Sequence, residues 1–490
     1  MESRVSNSAQ ARAMRAEVAP AAGPLAAASR SATADLVIFW LFLAALAWTP
    51  FWYGSNDLIA WGINAVVFPG LAATYEISLL VRGESHPVGL RSLAIPAGLF
   101  AAVVLWIWMQ TMTWPHSPPA HPIWGMAAEA LGQPLAGRIS VNRDLTTLAL
   151  IRLLTAASVF WLAVQLCRNG ARASLFLNAI AAIICGYAAY GLAAFAFSAG
   201  RVPWLEIPST GGHVASTFIN HNSFATYAGV GLMAACGLLF RLYRGELTME
   251  GPRRLQIASL IETTGKKGGL LLGAVFVLFV AILLTGSRGG VIATGFGLFA
   301  LCVLTFRRGR KRSSEPLELM VAAAVLAAAI LFAFGDTFVA NIAERGIRDT
   351  GRLAVYLITL WSILDAPWLG HGYGTFADVF PMYRDRSIGL QGTWEQAHNT
   401  YLEIFQGLGV VFGSMLVACI LLFVLSCVRG AMTRQENATV PRVAASAAFL
   451  VGIHALVDFS LQIQAVALTF MAILGAGVAQ SQSSRVALND

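Results

Sequence analysis

The 490 residues are 57% hydrophobic and only 12% charged, with a mean hydropathy of +0.67, against roughly a quarter charged in a soluble domain; a soluble enzyme is excluded. At about 20 apolar residues per crossing, the chain is long enough for on the order of a dozen spans. The 33 Lys and Arg against 25 Asp and Glu leave a net charge of +8, which in a membrane protein bears on orientation rather than on nucleic acid, and no nucleic-acid partner is expected.

In chain order, residues 1–34 are rich in Ala, Ser and Arg without the apolar core of a signal peptide, and read as a disordered cytoplasmic tail. Apolar runs bounded by Gly, Pro or charge follow at 35–54, 58–81, 92–114, 144–167, 173–199, 221–243, 268–286, 289–306 and 317–335. They predict nine transmembrane helices over 35–335. Residues 336–398 are expected to form a large periplasmic loop. Within it, Arg352–Leu364 (RLAVYLITLWSIL) has the pattern of a helix lying on the membrane surface or against the bundle. Runs at 399–428, 442–459 and 460–479 supply three more transmembrane helices over 399–479, and 480–490 is a second cytoplasmic tail. Tight turns are required at Gly286–Gly289 and Phe459–Ser460. The fold class is therefore an all-α polytopic membrane protein of about twelve helices. All six cysteines fall inside apolar runs with no CxxC, so neither a disulfide framework nor a zinc site is indicated.

Assigning the loops alternately to two sides puts 23 Lys and Arg on one side and 9 on the other, with Arg152 inside a span. The positive side is cytoplasmic, which places both termini inside and the segments 115–143 and 336–398 outside. Dropping either weak hairpin would move the run Arg307–Arg312 or the C-terminus to the wrong side.

Polar residues with chemical potential gather on the outer side. Arg288 lies in the hairpin Thr285-Gly286-Ser287-Arg288-Gly289-Gly290. An arginine at membrane depth costs about 2.5–3.5 kcal/mol, so it either snorkels to headgroups or meets a compensating anion, for which the guanidinium fork suits phosphate. His398 opens His-Asn-Thr-Tyr-Leu-Glu, where a polar loop becomes an apolar helix. A neutral imidazole there can accept a proton from a hydroxyl, or can simply be satisfied by the helix start. Arg384 and Arg386 flank Asp385, a pattern that suits an anion or a solvated surface cluster. Asn220 and His221 stand at another helix start, where they could line a sugar path or cap the helix. His454 and Asp458, four apart on one helix face, could support the base or bond structurally. Trp114, Trp124, Trp204, Trp361, Trp368 and Trp394 fit an interfacial aromatic belt; Trp394, four residues before His398, is the candidate for stacking on a sugar ring.

The pairing of Thr-Gly-Ser-Arg-Gly-Gly with His-Asn-Thr-Tyr-Leu-Glu resembles the O-antigen ligase and polymerase superfamily of bacterial inner membranes. Ser216–Ala225 (STFINHNSFA) is similar to a segment of its exopolysaccharide-polymerase-like members, His454–Gln462 (HALVDFSLQ) to a C-terminal signature, and Asp365–Gly374 (DAPWLGHGYG) to another family feature. The resemblance covers about 210–480 and implies a GT-C-like architecture. It also implies transfer of a glycan from an undecaprenyl diphosphate carrier to a glycan or lipid A core acceptor, as ligase or polymerase, at the periplasmic face of the inner membrane. His398 matches the family's base, and Arg288 and Arg352 match its diphosphate-binding arginines. The resemblance implies an inverting, metal-independent reaction without cofactors, with membrane lipids as the remaining partners. Inversion at an anomeric carbon needs a base and a clamp for the leaving diphosphate, and both are in this inventory. A transporter or flippase is the competing class; it would need ionisable groups near the bilayer midplane, where Arg152 is the single candidate.

Overall fold

The computed structural model describes residues 24–114, 119–198, 200–205, 212–247, 262–306, 350–388, 393–434 and 437–482. The expected span at 317–335 lies outside them, as do the first part of the expected loop (336–349) and the tail beyond 482. Fourteen α-helices occupy the described residues, whose only β pairing is two isolated bridges, Trp114 with Gly137 and Val202 with Leu205. They are α1 (Pro24–Trp48), α2 (Leu58–Arg82), α3 (Ala94–Gln110), α4 (Ile123–Leu131), α5 (Arg143–Leu166), α6 (Gly170–Ser198) and α7 (His221–Leu247). Then come α8 (Gly269–Leu284), α9 (Arg288–Phe306), α10 (Thr350–Asp365), α11 (Phe376–Tyr383), α12 (Thr400–Thr433), α13 (Thr439–His454) and α14 (Gln464–Ser481). Eight of the described helical segments are long and apolar enough to cross a membrane, and three apolar helices are shorter. The chain is a polytopic helical membrane protein.

Local chemistry sets the helix ends. Asp57 caps α2 by accepting from the Ile59 amide at 2.9 Å, and Asn142 caps α5 through the amides of Asp144 and Leu145, satisfying donors the helix itself cannot. In the centre, α7 and α14 have 89% and 83% of their apolar windows buried, against 17% in the segment Leu90–Gln110 that contains α3. Those two helices and α13 form the buried centre, whereas helices such as α2 and α3 present much of their apolar surface outward. Small residues allow the close approach usual between membrane helices: a Cβ on Gly475 of α14 would stand 2.5 Å from the Phe160 carbonyl of α5.

At one end of the bundle, charge is paired with charge. Asp35 of α1 bonds Arg82 of α2 at 3.0 Å and Arg172 of α6 at 3.1 Å, and Arg82 also meets Glu84 at 3.2 Å. The other end is built from broken backbone. Helix α12 is interrupted at Gly409, whose φ of 74° and ψ of 171° are non-helical, and the loop 366–374 docks into the break. The carbonyls of Gln406 and Gly407 accept from the amides of His371 (2.9 Å) and Gly372 (3.1 Å), and the Val410 amide donates to the Pro367 carbonyl at 2.7 Å. Gln110 of α3 donates to the Leu369 and Gly407 carbonyls, and the Trp106 indole donates to that of Leu408. Backbone freed inside an apolar bundle must be satisfied by protein, and the Gly-His-Gly-Tyr-Gly run supplies the amides. Gly409 cannot be replaced cheaply here, since a Cβ would come within 2.5 Å of the Trp368 carbonyl.

Candidate functional site

The site is organised around the connection Ala455–Ile463 between α13 and α14, which contains a 3-10 turn at Ser460–Gln462. A tight turn at Phe459–Ser460 is the expectation from sequence; the structure gives a longer excursion, whose carbonyls at Ala455, Leu456, Val457 and Asp458 are taken by α10 and α12 and that of Gln462 by Arg152 of α5.

Each of four neighbouring helix starts brings one of the residues singled out above. From α9, Gly289 lies so close that a Cβ there would be 3.0 Å from Val457 and 3.1 Å from the His454 ring, which sets the Arg288 turn directly on the connection. From α10, Arg352 donates to the Val457 carbonyl at 2.7 Å. From α12, the Thr400 amide donates to the Ala455 carbonyl at 2.9 Å and the Asn399 side chain to that of Leu456 at 3.0 Å. From α7, the Thr226 hydroxyl shares a hydrogen bond with His454 Nδ1 and lies 2.9 Å from the Ser460 hydroxyl. Four helix N-termini thus meet one loop. Each carries a partial positive charge, so together they favour an anion.

Arg288 is the first residue of α9, and its turn is fixed by side chains. The Ser287 hydroxyl accepts from the Gly290 amide at 3.1 Å, and Thr285 accepts from that of Ser287 at 3.1 Å. The αL glycine of this turn, Gly286 (φ 65°), abuts His213, whose ring stacks on His221 with centroids 4.9 Å apart. Asn220 caps α7 by accepting from Asn222 at 2.7 Å. Asn220 and His221 are therefore helix-start residues set beside the Arg288 turn.

His398 is half-buried and held edge-on between Trp394 (5.8 Å) and Phe459 (4.9 Å). Its φ is 54°, the left-handed region, which costs a non-glycine residue about 1 kcal/mol and persists only where neighbours over-determine it. Here they do: Tyr356, one turn beyond Arg352 on α10, donates to the His398 carbonyl at 2.9 Å, and Glu403 accepts from the Ala397 amide at 2.6 Å.

His454 and Asp458 are each 1% exposed. Burial pushes the Asp458 carboxyl up to about 6, against the opposing pull of the Arg352 guanidinium and hydrogen bonds from Phe459 and Asn222. Arg384 and Arg386 follow α11, just before Ile388, which belongs to the same apolar cluster as Ala397; Arg386 is exposed.

Sequence reasoning passed over Thr226, Ser460, Tyr356, Glu403 and Gln462. Single hydroxyls, one amide and one carboxylate look ordinary in a linear reading; the signal available was position, since Glu403, Ser460 and Gln462 lie inside the quoted stretches His398–Glu403 and His454–Gln462, Thr226 directly follows Ser216–Ala225, and Tyr356 lies within Arg352–Leu364.

Next to the site lies a cavity of about 450 Å³, lined mostly by apolar groups such as Phe100, Leu153 and Phe160. Arg152, Glu403 and Gln462 are among its polar lining residues.

Residues 273–417 match a family model described as O-antigen ligase. The matched stretch runs from α8 into α12 and contains Arg288, Arg352 and His398. No curated protein matches the chain.

Proposed function

We propose, on the match of residues 273–417 to a family model described as O-antigen ligase, that the chain is a glycosyltransferase of that superfamily. In this reading it moves a glycan from undecaprenyl diphosphate to an acceptor hydroxyl, on a glycan or a lipid A core, at the periplasmic face of a bacterial inner membrane. The observation that carries the reading is the meeting of Arg288, Arg352 and His398 on one connection, although 110 positions of sequence separate the first from the last.

His398 takes the proton of the acceptor hydroxyl. The oxygen then attacks the anomeric carbon from the face opposite the leaving group, the bond from that carbon to the diphosphate oxygen breaks, and its electron pair leaves with the diphosphate. Arg288, Arg352 and the helix starts hold the charge that develops there, without a metal ion. The apolar cavity suits the hydrocarbon of the carrier. Trp394, Asn220, His221, Arg384 and Arg386 lie along the glycan and diphosphate path, with His454 and Asp458 as support beneath the arginines.

The deciding variant is His398→Gln, which keeps a hydrogen bond but cannot take the proton. Purified and folded, it is expected to bind carrier-linked glycan and to lose about 10² to 10⁴ in transfer rate. Transfer at the wild-type rate would remove His398 as the base. Glycan analysis of a deletion strain separates the two branches: unattached carrier-linked polymer marks a ligase, and single repeats mark a polymerase.

A further inference from the structure

His398 occupies a strained backbone position (φ 54°), and the peptide groups on its two sides are held by different elements. On the C-terminal side, the Tyr356 hydroxyl donates to its carbonyl at 2.9 Å. On the N-terminal side, the amide of Ala397, a fully buried residue, donates to Glu403 Oε1 at 2.6 Å. The second oxygen of Glu403 accepts from the Gln462 side chain at 2.5 Å. Gln462 belongs to the same connection that receives Arg352, and its backbone carbonyl accepts from Arg152. Arg152 is fixed in turn by lying over the Trp61 ring at 4.1 Å. A continuous strut thus runs from α2 and α5, through the 3-10 turn, to the residue before His398.

A carboxylate at the wall of an apolar cavity is costly unless hydrogen bonds satisfy it. Both oxygens of Glu403 are used, and both are used on backbone or side chains that border the site. A helix-capping carboxylate would bond its own helix's first amides; here Asn399 does that work by accepting from Leu402 at 3.1 Å. Glu403 is left to hold the strand of chain that delivers the imidazole.

We propose that Glu403, braced by Gln462 and Arg152, is a positioning residue that fixes the backbone entering His398 and thereby the angle of its imidazole over the acceptor. The proposal rests on the reading of His398 as the base. Glu403 touches neither substrate, and its effect passes through the Ala397 amide. Its loss lets the backbone relax out of the left-handed region and lowers the fraction of enzyme with a correctly aimed ring.

The test uses the full-length protein in detergent or nanodiscs with carrier-linked glycan as donor. Glu403→Ala is expected to lower kcat roughly 10- to 100-fold, the scale on which small misplacement of a catalytic group acts, with KM for the donor within about twofold of wild type. The pH profile of the remaining rate keeps its wild-type shape. Glu403→Gln retains the acceptor oxygen for the Ala397 amide and should restore most of the rate; Gln462→Ala should show a smaller loss in the same sense. The decisive comparison is a double-mutant cycle. Once His398 is Ala, adding Glu403→Ala should cost nothing further. The proposal is overturned by wild-type kcat in Glu403→Ala, by a loss confined to KM, by a Gln variant as poor as Ala, or by full additivity with His398→Ala. Failure of the base reading is seen separately, as wild-type transfer by His398→Gln.

Discussion

The two ends of this bundle use arginine in opposite ways. At one, Arg82 and Arg172 share the carboxylate of Asp35, so that charge is consumed in joining α1, α2 and α6. At the other, Arg352 donates to the neutral carbonyl of Val457, and Arg288 opens a helix whose first turn is tied by Ser287 and Thr285. One end joins three helices through carboxylate–guanidinium pairs, whereas the other gathers arginines at helix starts around one connection, where their positive potential suits a ligand that brings its own negative charge.

The comparison breaks most sharply if the two ends lie on the same side of the membrane. In a cysteine-free background, single cysteines at Gly389 and Ser313 should react with an impermeant thiol reagent from opposite sides, the first from outside and the second from inside. Labelling of both from one side would end both the topology and the periplasmic site. Next in size is the contrast between the arginines. Arg352→Lys and Arg288→Lys keep charge but lose the planar fork, and each should lower transfer about 100-fold with unchanged thermal midpoint. Arg82→Ala should do the reverse, costing about 2 kcal/mol of stability with kcat near wild type in the protein that remains folded.

Gly289→Ala tests how closely the Arg288 turn sits on the connection. The added methyl presses Val457 and His454, so transfer should fall roughly tenfold, about 1.4 kcal/mol of transition-state stabilisation. An equally active variant would show that the contact is slack. The smallest effect concerns pH. His371 Nε2 donates to the Ser362 carbonyl at 2.8 Å, so its Nδ1 must accept from His121 Nε2, 3.0 Å away, and His121 Nδ1 accepts from the Ile123 amide. Both rings are held neutral; burial and the neighbouring His371 push His121 down to about 4, and burial lowers His371. An opened loop binds protons near pH 6.5 while the closed one resists. Stability from this clamp is therefore complete above about pH 6.5 and is lost as pH falls toward 4. His121→Gln should flatten that fall in the thermal midpoint; an unchanged slope would place its origin elsewhere.

Much of this contrast could be read from the chain because an apolar sequence makes polar residues conspicuous. Thr-Gly-Ser-Arg-Gly-Gly and His-Asn-Thr-Tyr-Leu-Glu stand out as islands between runs of helical length, and the long polar segment between them marks where they face. The stretch Arg352–Leu364 was legible by its periodicity and is helical over Thr350–Asp365. What stayed hidden depends on long-range pairing. Phe459, Ser460 and Leu461 are too apolar to advertise a loop, so a tight turn was the natural expectation where the structure has the site's central connection. The break at Gly409 is equally silent, since glycines such as Gly407, Gly409 and Gly413 are common in membrane helices and do not say which of them is non-helical until the amides of His371 and Gly372 are seen to bond Gln406 and Gly407. Arg152 read only as a candidate ionisable group near the bilayer midplane because its real contacts, Trp61 and Gln462, lie 91 and 310 positions away.

The docking of residues 366–374 into the gap of α12 also dictates an order of assembly. Translation produces that loop before α12, but a helix handed to the bilayer by itself would carry the carbonyls of Gln406, Gly407 and Leu408 bare into lipid at the break. The half of α12 beyond Gly409 can insert on its own, as a continuous apolar segment. The half before it, with His398 at its head, can settle only after Trp106, Gln110 and the glycine-rich loop are in place. The His398 end of α12 therefore settles later than the rest of that helix, and a chain arrested before that step would be inserted and full length with its candidate site unformed.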